Sequence, residues 1–141
     1  MKTQVWAHRG ASAYAPENTL EAFRLAAEMG ADGVELDVQL SRDGELVVAH
    51  DETIDRVSSG TGYIKDYTLA QLKKLSFNRL FPNFKDARIP TLKEVYELLK
   101  PAGLTVNVEL KTGIILYPEI EEKVLALTAS MGMEDRVIYS S

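Results

Sequence analysis

The sequence contains no cysteine. That excludes a disulfide scaffold, a thiolate metal site and a cysteine nucleophile. No run approaches the roughly 20 apolar residues needed to span a bilayer. Positive charge is in deficit: 16 Lys and Arg against 21 Asp and Glu leave a formal net charge of −5, the wrong sign for a nucleic-acid footprint. Met1-Lys2-Thr3-Gln4 leads to polar His8-Arg9 without the apolar stretch of a secretion signal, so cytoplasm is the default expectation. Five prolines and nine glycines beside 45% hydrophobic residues exclude a disordered or collagen-like chain. What remains is an ordinary globular composition, enough for one domain or a piece of a larger one, and able to bury about 70% of its unfolded surface.

Strand-like and helix-like stretches alternate. Residues 4–8 read as a short strand, and Asn18 with Glu21 three positions on has the spacing of a capping box for a helix over 19–29 that Gly30 stops. Residues 33–40 alternate apolar and polar with period 2, Asp43-Gly44 signals a hairpin, and 45–50 return as a second strand. Thr68-x-x-Gln71 and Thr91-x-x-Glu94 start two further helices, 104–111 is a strand, Pro118 opens a helix to about Met131, and 136–140 begins another strand. This alternation predicts an α/β fold with a mainly parallel sheet. Residues 51–90, with one short helix and much turn sequence, read as a lid-like or binding segment inserted in it.

Two strands depart from the continuous apolar pattern that a parallel sheet covered on both faces requires. Glu35, Asp37 and Gln39 share one face of the first, and Asn107, Glu109 and Lys111 share one face of the second. Acids two residues apart project about 7 Å from each other. On an inward face they need a cation or must keep protons, and three oxygen donors without thiolates suit a hard cation such as Ca²⁺ or Mg²⁺. The bland alternative is a solvent-facing strand surface. A two-residue turn at Asp43-Gly44 pairs Arg42 with Glu45 and sets His50 opposite Asp37. His8 and His50, the only histidines, both fall at strand ends, where α/β proteins place their ligands. Arg9 suits a phosphate and Lys111 a developing negative charge, the alternatives being a surface arginine and a salt bridge to Glu109 or another carboxylate. Asn18 is better explained as a helix cap than as a ligand.

His8-Arg9-Gly10, Pro16-Glu17-Asn18-Thr19, Glu35-Leu36-Asp37-Val38, Asp43-Gly44 with Val47-Val48-Ala49-His50-Asp51, and Glu109-Leu110-Lys111 follow one another at fitting intervals. Together they resemble the glycerophosphodiester phosphodiesterase family, from residue 5 to the last residue. The resemblance implies a (β/α)₈ TIM barrel with its site at the C-terminal ends of the strands. It implies one divalent cation, Mg²⁺ or Ca²⁺, on Glu35, Asp37 and Glu109, an acid–base pair in His8 and His50, and Arg9 and Lys111 lining the phosphate. The implied reaction is hydrolysis of glycerophosphodiesters to an alcohol and glycerol 3-phosphate, in lipid and glycerol metabolism. A full barrel takes about 250 residues. Residues 1–141 therefore correspond to the N-terminal portion of the barrel domain, about half of it, with 51–90 inserted. Open barrel edges invite self-association. Two other readings stand beside this one. One is a phospholipid-cleaving barrel of the phospholipase D toxin kind, usually secreted and disulfide-bonded. The other is a truncated, inactive barrel that binds cation or phosphate, or assembles with another chain.

Overall fold

A computed structural model of the chain describes residues 3–111 and 119–140. Its elements are β1 (Trp6–His8), α1 (Leu20–Glu28), β2 (Gly33–Leu40), β3 (Leu46–Val48), α2 (Leu69–Lys73), α3 (Leu92–Leu99), β4 (Thr105–Leu110), α4 (Ile120–Ser130) and β5 (Val137–Ser140), with 3₁₀ turns at Ile64–Asp66 and Glu134–Arg136. Strands β1, β2, β4 and β5 lie parallel in that order, and β3 runs back antiparallel along β2. The carbonyls of Glu35 and Asp37 accept from Arg9 N–H at 2.8 Å and Ala49 N–H at 3.0 Å. Alternate carbonyls of a strand point the same way, so β3 takes over the edge of β2 that β1 leaves.

Among the described residues, the helices packed on the sheet cover one face of it. Phe23 and Ala26 of α1, Val95 and Leu99 of α3 and Val124 of α4 pack on the apolar side chains of β2 and β4, from Val34 to Val108. Each such Val, Leu or Phe side chain contributes about 1.5–3 kcal/mol by burial. The opposite face carries Glu35, Asp37, Gln39, Asn107 and Glu109. Parallel strands with helices on one side and polar side chains on the other form the wall of a (β/α) barrel, not a doubly wound sheet. The TIM-barrel type expected from the sequence is present as part of a barrel. Gly33 allows the strands to meet there, since a Cβ would stand 2.7 Å from the Trp6 ring and 2.8 Å from the Thr105 carbonyl.

Both threonine capping boxes form, at Thr68 with Gln71 and at Thr91 with Glu94. The cap of α1 is Thr19, not Asn18. Thr19 has the extended backbone of an N-cap, with φ −110°, and its hydroxyl accepts Ala22 N–H at 3.2 Å. Asn18 is left-handed, with φ 55°, and its side chain is committed elsewhere. The last long helix is observed from Ile120; Pro118 lies outside the described residues.

The hairpin register also differs from the two-residue turn. Val38 pairs with Val48 and Leu40 with Leu46. Continued outward, this register sets Ser41 against Glu45, whose N–H and C=O bond at 3.0 Å, and Gly44 (φ 78°) closes a three-residue loop. One extra loop residue with an αL glycine is the alternative hairpin geometry. It moves Ala49, not His50, opposite Asp37. Residues beyond β3 build a second core, in which Val47, Ile54, Ile64, Leu72, Phe77 and Ile89 are buried together. Val48 turns the other way, into the main core.

Candidate active site

The strand register assembles the site. His8 ends β1 beside Glu35, and Asp37 lies beside Glu109. One carboxylate oxygen from each of Glu35, Asp37 and Glu109 lies within 4.8 Å of the others. Asp37 is fully buried, Glu35 and Glu109 partly. His8 Nε2 is 3.4 Å from Glu35 Oε2. Lys111 Nζ stands 3.7 Å from Asp37 Oδ1 and 3.6 Å from Glu109 Oε2, and Arg9 Nε 3.9 Å from Asp37 Oδ2. These are ion-pair distances beyond hydrogen-bond reach. Lys111 thus meets Glu109 as the bland reading had it, and Asp37 as well.

Three acids so close cannot all ionise without compensation. Burial, the proton shared with Glu109 and the charge of Glu35 push the Asp37 carboxyl up to about 7. Burial also raises Glu35, against its contact with Asp37. Glu109 moves down, first through the proton it shares with Asp37. Apart from that proton, no donor reaches the buried Glu35 Oε2 or Asp37 Oδ1. Buried acid oxygens from three carboxylates, converging in this way, fit a hard divalent cation.

His50 sits just past β3, close enough for its charge to favour ionised Asp37 and Glu109. Its position does not come from direct strand pairing, as the simple turn required. It comes from Gln39, whose buried amide donates to the carbonyls of Ala49, His50 and Asp51 at 3.2, 3.1 and 2.6 Å. His50 Nδ1 lies 2.8 Å from Asp51 Oδ1.

The structure thus brings together all seven residues singled out from the sequence, and adds others. Asn18 Nδ2 donates to Asp37 Oδ2 at 3.1 Å. Arg9 and Asn18 both have positive φ, at 58° and 55°, and are tied to each other by Asn18 N–H to Arg9 C=O at 2.9 Å. Backbone strain of this kind in non-glycine residues collects at functional sites. Glu17 accepts from Arg9 Nη1 at 3.2 Å and from Arg56 through both terminal nitrogens, at 2.7 and 2.9 Å. Arg56 reaches Asp51 with Nε at 2.9 Å. Glu17 and Asn18 belong to a recognisable run, Pro16 to Thr19; for Arg56 and Gln39 the sequence carries no local signal.

The profile of the glycerophosphoryl diester phosphodiesterase family matches residues 8–140. A glycerophosphodiester phosphodiesterase of Caldanaerobacter subterraneus subsp. tengcongensis is 54% identical over 142 residues, covering 100% of this chain and 58% of the relative. The crystal structure of glycerophosphodiester phosphodiesterase from Agrobacterium tumefaciens superposes with a TM-score of 0.90 at 40% identity, over 99% of this chain and 58% of that one. An Oleispira antarctica phosphodiesterase, solved in complex with the product sn-glycerol-3-phosphate, gives a TM-score of 0.83 at 36% identity, over 99% of this chain and 57% of that one. The chain therefore spans a little over half the length of these relatives. With the profile running from the histidine that ends β1 to the end of β5, and barrels of the same kind superposing on the whole sheet, the chain belongs to the glycerophosphoryl diester phosphodiesterase family.

Proposed function

We propose that this chain carries the metal and acid–base residues of a glycerophosphodiester phosphodiesterase, releasing glycerol 3-phosphate and an alcohol. The observation that carries this reading is the convergence of Glu35, Asp37 and Glu109, with buried oxygens, between two histidines at strand ends. The three carboxylates would hold one divalent cation, Mg²⁺ or Ca²⁺. Such an ion, when bound, polarises a phosphoryl oxygen.

The chain's own side chains do the rest. Arg9 and Lys111, already drawn toward Asp37 and Glu109, supply positive charge for the phosphate. One histidine takes the proton of the substrate's glycerol hydroxyl as its oxygen forms a bond to phosphorus. The other gives a proton to the alcohol oxygen as its P–O bond breaks. Water then opens the resulting cyclic phosphate with the two roles exchanged. Each histidine would contribute about 10²–10⁴-fold. Residues 51–90, inserted in this barrel domain, wall the site from the His50 side and sort the alcohol. Among the described residues no helix is long and apolar enough to cross a membrane.

The test is glycerol 3-phosphate release from glycerophosphocholine and glycerophosphoethanolamine with Mg²⁺, with Ca²⁺ and with chelator. Chelator-sensitive release that His8→Ala and His50→Ala each reduce at least 10²-fold supports the reading. Near-normal activity in both variants refutes the acid–base assignment. A second reading rests on the exposed apolar side chains at the sheet edges, Val5 and Trp6 by β1 and Ile138 and Tyr139 on β5. In that reading the chain binds a cation but turns over only when a second copy covers those edges. Cation binding without release by the monomer favours it.

A further inference from the structure

Outside the carboxylate cluster, a heavily paired group of side chains runs from His50 to the loop before α1. Arg56 lies at its centre. All of its guanidinium nitrogens are engaged: Nε and Nη2 on Asp51 at 2.9 and 3.2 Å, Nη1 and Nη2 on Glu17 at 2.7 and 2.9 Å. An arginine gripped bidentately by two carboxylates is not presenting its fork to a phosphate. It is instead a brace between the 51–90 segment and residue 17, and what it braces is the partner of His50. We propose that Asp51 and Arg56 are positioning residues for His50: Arg56, anchored on Glu17, fixes the Asp51 carboxylate so that it receives the Nδ1–H of His50 and leaves Nε2 as the basic atom of the neutral ring.

Three observations support this. The His50 Nδ1 to Asp51 Oδ1 distance is 2.8 Å. Asp51 is held below the usual carboxylate range, first by its hydrogen bond from Arg56 and further by His50, against partial burial. It is therefore an acceptor only, and the proton between the two must sit on nitrogen. Finally, the backbone of both residues is clamped by one side chain, Gln39, which donates to the carbonyls of His50 and Asp51 at 3.1 and 2.6 Å. Gln39 sets where the imidazole is; Asp51 sets which way round it stands and which nitrogen carries the proton. A histidine's free nitrogen is determined by the bond the other one makes. Glu17 completes the arrangement because the same carboxylate also accepts from Arg9, 3.9 Å from Asp37. The brace therefore ties the histidine's holder to the loop beside the carboxylates.

The inference rests on the proposed function for its catalytic meaning but is tested separately from it. The tautomer of His50 is read from imidazole ¹⁵N shifts of the labelled chain, above the pH of imidazole titration. The intact chain should show His50 in the Nδ1–H form, against the preference of free imidazole for Nε2–H. Asp51→Ala should return it to Nε2–H, and Arg56→Met should mix the two forms. An Nε2–H ring in the unsubstituted chain overturns the proposal, whether or not any variant folds and whether or not the chain hydrolyses anything. In the hydrolysis assay, Asp51→Ala should lower kcat about 10–100-fold with KM nearly unchanged. An unchanged kcat overturns the positioning role even if the tautomer is as expected. Loss of activity in every form of the chain beside an Nδ1–H ring would count against the proposed function, and not against the geometry.

Discussion

Removing divalent cation should make the stability of this protein fall as pH rises, and Asp37 is the reason. Its carboxyl is moved from 3.8 to about 7, first by burial and then by the neighbouring acids. That displacement corresponds to a penalty of roughly 4 kcal/mol on the ionised form. Glu109, lowered by the same shared proton, returns part of it, so a net loss of about 2–3 kcal/mol is expected. The sign follows from the direction. A raised folded-state value contributes stability below the ordinary carboxylate range and loses it as pH climbs through about 7. Chelated protein should therefore lose on the order of 10 °C in Tm between pH 5 and 8. Saturating Mg²⁺ or Ca²⁺ should abolish the decline, and binding below pH 7 should release on the order of one proton. Scanning fluorimetry across pH, with chelator or cation, and calorimetry in two buffers of different ionisation enthalpy measure both effects. Asp37→Asn should remove most of the pH slope, leaving the part that comes from buried Glu35, and should remove the cation effect with it. A chelated protein whose Tm is flat or rising over that range would refute the reasoning.

Three other outcomes are expected. Asn18→Ala removes the donor to Asp37 at 3.1 Å and puts alanine at φ 55°; it should cost about 1–3 kcal/mol in denaturant unfolding and weaken cation binding at neutral pH, while Asn18→Gly recovers only the backbone part. Tyr96, pushed up to about 12 by burial against its bond to Thr128, should make the protein lose stability as pH rises from 10 toward 12. Tyr96→Phe should not show that loss; it should cost about 1 kcal/mol at pH 7, since the Thr128 hydroxyl keeps its bond to the Val124 carbonyl. Exposed Leu125 on α4 and Ile138 on β5 should drive concentration-dependent dimers in light scattering. Leu125→Glu with Ile138→Lys should give monomers, and a wild-type chain monomeric at every concentration would exclude self-association through these edges.

The sequence revealed those features whose physics is local or strictly periodic. Period 2 over 33–40 fixed which side chains face the helices and therefore that Glu35 and Asp37 share the other side. Threonine followed by Gln or Glu three residues on marked the starts of α2 and α3 because both bonds of a capping box lie within one turn. Asn18 defeated the same rule: Thr19 beside it is an equally good cap, and what decides between them is a carboxylate 19 residues away. The hairpin failed for a related reason. Asp43-Gly44 suits both a two-residue turn and a three-residue loop ending in a left-handed glycine, and the choice shifts every partner by one position. Gln39 read as one polar residue on a polar face. Its role appears only when the chain returns and lays three carbonyls against it. Arg56 meets Glu17 across 39 residues, beyond any spacing rule.

The division of β3 between two cores has a consequence for how such a site fails. Val48 is buried with the sheet that carries Glu35, Asp37 and Glu109, whereas Val47, one residue away, is buried with Ile54, Ile64 and Leu72. His50 follows Ala49 of the second core, so the acids and one histidine rest on different packing clusters. A cavity opened in the smaller cluster, at Leu72 for example, should therefore disturb His50 before it disturbs the three acids.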